Sequence, residues 1–111
     1  MKVNEEMRNS LIISAGEAES GAMEAISAAR HGQWDEVPAL LKQSDDAARE
    51  CHNAQTRMIG EDEGCGKIPV SLIMVHAQDH IMNAMQCREM AEEIICLHRK
   101  FNTLTSQSKD A

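Results

Sequence analysis

The sequence predicts an all-α protein, an antiparallel three-helix bundle running up, down and up, from three observations. Only Trp34 and Phe101 among 111 residues are aromatic, whereas strands favour aromatic and β-branched side chains. Alanine and methionine, both good helix formers, are plentiful. Two long stretches repeat small and apolar side chains alternately four and three apart, and a third, more uniformly apolar, follows a glycine-bearing break. With 42% hydrophobic residues, the chain has enough apolar surface for one modest core, so residues 1–111 read as a single domain.

The first helix is predicted over about residues 4–31. Leu11, Ala15, Ala18, Ala22, Ala25 and Ala29 form its inner stripe, with side chains small enough to let neighbouring helices approach closely. Met7, Ile12, Met23 and Ile26 are expected to widen that stripe, and His31-Gly32 supplies a C-terminal stop. The second helix is predicted over about residues 35–60. Asp35 is the expected N-cap because its carboxylate can accept from free backbone N–H groups, and Pro38 falls in the first turn. Val37, Leu41, Ser44, Ala48, Cys51, Gln55 and Met58 carry the inward spacing, flanked by Leu40, Ala47 and Ala54. The third helix is predicted over about residues 69–101, beginning near Pro69 and Val70. A polar tail over residues 102–111 is expected to be mobile.

Composition excludes several classes. A formal net charge of −7, with no basic patch, argues against a nucleic-acid partner held through phosphates. The polar opening Met1-Lys2-Val3-Asn4-Glu5-Glu6 does not read as a signal peptide, and no apolar run reaches a membrane span, so no membrane insertion and a cytoplasmic location are expected. Cys51, Cys65, Cys87 and Cys96 contain no C-x-x-C pair, so they are expected to be reduced thiols, with Cys51 and Cys87 packed inside.

The third helix holds the chemistry. Leu72, Ile73, Met74, Val75, Ile81, Met82 and Met85 surround its whole circumference, and two neighbouring helices cannot cover so much apolar surface. A second copy of the chain is the expected cover. With His76 as origin, His80 lies about 40° to one side and Asp79 about 60° to the other, with Asn83 nearly in line. Gln78 points about 160° away. Two imidazoles four residues apart could chelate a metal, but the H-E-x-x-H hydrolase signature needs glutamate where Ala77 stands. A neutral imidazole is also a nucleophile able to accept a phosphoryl group, and a second imidazole could donate to the phosphoryl oxygens. Spacing alone leaves open which of His76 and His80 plays which part. A reading from another class, a non-catalytic helical binding module whose histidines and Asp79 hold a structural metal, also fits these residue types.

The run Val75-His76-Ala77-Gln78-Asp79-His80-Ile81-Met82, preceded by Ser71-Leu72, closely resembles the active-site motif of the lactose/cellobiose-type enzyme IIA proteins of the bacterial phosphoenolpyruvate-dependent sugar phosphotransferase system. The resemblance extends to Ser14-Ala15-Gly16-Glu17-Ala18, Met23-Glu24-Ala25, His31-Gly32 and His52-Asn53-Ala54-Gln55. Met74 and Ile81 stand where the family often has leucine, a volume-similar change. The resemblance implies a homotrimer that takes a phosphoryl group from the histidine-containing phosphocarrier protein and passes it to a cysteine of a IIB component, during uptake of a β-linked disaccharide such as lactose, cellobiose or chitobiose. It makes His76 the phosphorylated residue, His80 its phosphoryl-stabilising neighbour and Gln78 a pocket residue of the adjacent subunit. Asp79 is then expected near the threefold axis, sharing one magnesium ion. His31 and His98 are expected to interact with the C-terminal ends of the first and third helices.

Overall fold

The structure, a computed structural model, describes residues 5–110, with side chains described over 7–106. Three helices make up the bundle: α1 (Glu5–Arg30), α2 (Val37–Asp62) and α3 (Leu72–Asp110), with a short 3-10 turn over Trp34–Glu36. Side-chain contacts fix the topology. Ser44 meets Ala18 and Cys51 meets Leu11, so α2 runs antiparallel to α1. Gln55 meets Gln78 and Arg88 meets Asp45, so α3 reverses again and lies parallel to α1.

The alanine stripe of α1 is the reason the helices lie so close. Ala15, Ala18, Ala22, Ala25 and Ala29 are all buried, so α1 can serve as the central element that both other helices pack against. The closest approach falls at Gly21, where a Cβ would stand 3.2 Å from the Leu40 carbonyl oxygen and from the Ser44 backbone nitrogen. Beside it the buried Ser44 hydroxyl donates to the Ala18 carbonyl at 2.6 Å, giving this polar group a partner inside the seam. Leu11, Cys51, Met58, Met74 and Ile81 fill the core at one end. Ile26, Val37, Ala91 and Ile95 fill the other.

Helix ends follow local chemistry. Gly32, at φ +74°, closes α1: its own N–H donates to Ala29 and that of Gln33 to Ala28, a Schellman arrangement. The expected Asp35 cap is corrected, because Asp35 lies within the 3-10 turn and Glu36 precedes α2 without a side-chain cap bond. Pro38 lies in the first turn of α2 as expected, where its missing N–H costs nothing. Past Gly60 the helix continues to Asp62, whose carboxylate then accepts from the Ile68 N–H at 3.0 Å and ties the connecting loop.

Three other expectations change. Met23 is 52% exposed and lies outside the stripe it was expected to widen. The third helix begins at Leu72, since Ser71 acts as its cap: the hydroxyl accepts from the Met74 N–H at 3.2 Å. Its end is corrected as well, because α3 runs on through Asn102–Asp110. That segment contains neither glycine nor proline, and the Thr103 and Thr105 hydroxyls donate back to the Arg99 and Phe101 carbonyls. Residue 4 of the expected first helix and Ala111 of the expected tail lie outside the described residues. All four cysteines are free, with Cys51 buried and Cys87 half-buried against the core.

Candidate functional site

The site starts from the capped end of α3. Arg8 of α1 donates from Nη1 to the Ser71 hydroxyl at 3.4 Å, which ties the beginning of α3 to α1 just ahead of the histidines. One turn beyond, His76 is exposed on the bundle surface. His80 follows four residues later, and its ring stacks beside that of His76 with centroids 6.1 Å apart and planes inclined by 16°.

The two rings occupy different environments. His80 is half-buried against α1, where Gly16 leaves room: a Cβ there would lie 4.0 Å from His80 Nε2. Glu19 Oε2 lies 3.8 Å from His80 Nδ1, beyond hydrogen-bond reach. His76 has no comparable cover. Of the pair, it is the ring a macromolecular partner can reach.

The wheel placed Asp79 and Asn83 on a shared face with the histidines, and in the structure these two residues are both exposed and paired with each other. Asp79 Oδ2 accepts from the Asn83 amide at 3.3 Å on the Asp79 edge of that face. Asp79 borders a shallow apolar surface with Val70, Val75 and Met82. No group of three His, Cys, Asp or Glu side chains able to hold a metal occurs among the described residues. A single chain therefore offers one carboxylate at this edge, and the structural-metal binding module has no complete donor set among those residues.

Gln78 points toward α2, opposite His76, as its helical angle requires. Its Oε1 accepts from Gln55 Nε2 at 2.7 Å. Its own Nε2 faces two thioethers, Met74 Sδ at 3.8 Å and Met58 Sδ at 4.0 Å. Gln78, Met74 and Met58 border a cleft of about 280 Å³ at the α2–α3 end, which also takes in Ile68 and Val70.

The remaining histidines lie elsewhere. His31 Nδ1 donates to the Ser27 carbonyl at 2.7 Å at the end of α1, as expected. His98 is corrected: α3 extends well past it, so it does not lie at a helix end. His52 is exposed on α2. Glu19 and the partnership of Gln55 with Gln78 escaped the sequence reading. A polar residue at the rim of the alanine stripe, and an amide placed within an apolar spacing, were the available signals.

Fold and site define the class: a small helical protein whose accessible reactive group is a surface histidine beside a second imidazole. Residues 6–99 match the family model described as PTS system, Lactose/Cellobiose specific IIA subunit. The chain is 45% identical over 96 residues to the N,N'-diacetylchitobiose-specific EIIA component of Escherichia coli K12, covering 86% of this chain and 83% of that one. It superposes with a TM-score of 0.85 on the cellobiose-specific enzyme IIA of Bacillus anthracis, at 35% identity and with 93% and 94% of the two chains covered. A TM-score of 0.78 relates it to the chitobiose IIA of E. coli solved in complex with HPr, at 41% identity, with 92% of this chain and 99% of that one covered. The chain belongs to the lactose/cellobiose-specific IIA family of the sugar phosphotransferase system and is a phosphotransferase component.

Proposed function

We propose that His76 accepts a phosphoryl group from the histidine-containing phosphocarrier protein HPr and passes it to a cysteine of a IIB component in the cytoplasm. The observation that carries this reading is the exposed His76 ring with His80 stacked 6.1 Å away. In the first transfer a lone pair of neutral His76 attacks phosphorus, and the P–N bond to the donor histidine breaks. The attacking ring loses its other N–H proton to solvent, while the departing ring gains one. In the second transfer a IIB thiolate attacks phosphorus, the P–N bond to His76 breaks, and the departing His76 ring takes up a proton from solvent and returns to neutral. Alignment of donor and acceptor supplies most of the rate in such a reaction.

His80 stabilises the transferring charge as a ring N–H donor, with Glu19 beside Nδ1. The solved complex of chitobiose IIA with HPr supports the donor assignment. Relatives named for chitobiose, lichenan and cellobiose support a β-linked saccharide as the transported sugar.

The active assembly in this reading is a homotrimer built on α3. Val75, Met82, Met90, Leu97 and Leu104 are all exposed and recur seven or eight residues apart, the spacing of a coiled-coil seam. Asp79 falls on the same edge, so three copies would bring three carboxylates to the axis. One magnesium ion, a hard cation suited to carboxylate oxygens, would offset their repulsion when bound. Gln78 would then border the pocket of the adjacent subunit.

The test is labelling with phosphoenolpyruvate, the general carrier enzymes and magnesium. Wild type acquires an acid-labile phosphoryl group. His76→Ala acquires none, and His80→Ala acquires it slowly. Equal labelling of His76→Ala would overturn the reading.

A further inference from the structure

We propose that Gln55 is a positioning residue for phosphoryl transfer: it fixes the side-chain amide of Gln78 so that the Gln78 N–H edge is presented to an incoming anionic oxygen. This deepens the function proposed above and rests on it. The geometry is specific. Gln55 Nε2 donates to Gln78 Oε1 at 2.7 Å, so the carbonyl end of Gln78 is occupied. Among the described residues the two hydrogens on Gln78 Nε2 meet the sulfurs of Met74 and Met58, at 3.8 and 4.0 Å. A thioether is a weak acceptor, so this edge keeps hydrogen-bonding capacity for a stronger one.

The opposite orientation of the pair is disfavoured on the same evidence. An amide's oxygen and nitrogen are told apart by the network around them. Reversing both amides would turn the Gln78 oxygen lone pairs onto two sulfur atoms that can only accept. Gln55 and the two methionines therefore act together to select one face of Gln78.

Position gives that face its use. Gln78 cannot serve His76 of its own chain, because the two residues lie about 160° apart on α3. It borders the shallow surface formed by Val75, Asp79 and Met82, the edge at which a second copy packs in the trimer. A phosphoryl group on the neighbouring copy's histidine is the anion that reaches an amide placed there.

The experiment compares full-length wild type, Q55A, Q55E, Q78A and the double variant Q55A/Q78A. It reads the single-turnover rate of phosphoryl arrival from phosphorylated HPr and the Gln78 side-chain amide resonances. Q55A is expected to slow transfer about three- to tenfold, the effect of one hydrogen bond. Q55E, similar in size but able only to accept, should reverse the Gln78 amide and slow transfer at least as much. In the Q78A background the Gln55 change should have no further effect. Wild-type rates in Q55A, or equal and additive losses in the double variant, would overturn the inference while leaving His76 as the carrier. A wild-type protein that acquires no phosphoryl group on His76 would overturn both.

Discussion

His76 and Cys51 show how position decides the reactivity of a side chain. His76 is exposed on the surface, whereas Cys51 is 1% exposed, packed in the core, and its thiol donates to the Leu11 carbonyl at 3.8 Å. Burial, with smaller contributions from the charges of Glu50 and Glu17, pushes the Cys51 thiol up from 9.0 to about 11. The folded protein thus binds this proton more tightly than the unfolded chain. The stability it contributes is full below pH 9 and is lost as pH rises toward 11. Thermal melts across that range should show wild type losing stability more steeply than Cys51→Ala; parallel losses would contradict the assignment. At neutral pH a thiol reagent should modify exposed Cys65 and Cys96 well before Cys51.

At the scale of elements, the α1–α2 seam depends on the absence of a side chain at Gly21. The atoms a Cβ would meet at 3.2 Å include a backbone oxygen and a backbone nitrogen of α2, which cannot rotate aside. Gly21→Val should destabilise the bundle by about 1–3 kcal/mol, read in a urea melt. An unchanged midpoint would show that α2 yields there. The interior of this seam was legible in the sequence, because burial of Ala15, Ala18, Ala22, Ala25 and Ala29 is what their spacing demands. Helix ends were less so. Asp35 has the right chemistry for a cap, but the preceding turn tightens into a 3-10 helix and places Glu36 at that position. The polar residues after Phe101 resemble a tail by composition, yet without glycine or proline no local signal ends α3 there. The His76–His80 pair followed from the four-residue spacing. The Gln55–Gln78 bond joins residues 23 apart in sequence, and no helical spacing connects residues on different helices.

The whole molecule is a rod with extents of 65 × 22 × 20 Å, drawn out by the 39 residues of α3. Among the described residues no helix is long and apolar enough to cross a membrane, and the exposed stripe from Val75 to Leu104 is the surface on which the proposed trimer would be built. In that proposed assembly Asp79→Leu should keep or strengthen the trimer, since it would remove the carboxylate repulsion that a bound cation would otherwise have to offset. Light scattering after size exclusion measures this, and dissociation to monomers would mean that the carboxylate–metal contacts are indispensable. Met82→Asp adds charge to the apolar stripe and should dissociate the trimer. The most direct measurement of the central claim is to locate the phosphoryl group by mass spectrometry of wild-type protein, phosphorylated through HPr and kept alkaline, before and after IIB is added. The account predicts phosphate on His76, none on His80, and its departure to a IIB cysteine; phosphate on any other residue, or retained after IIB is added, would contradict it.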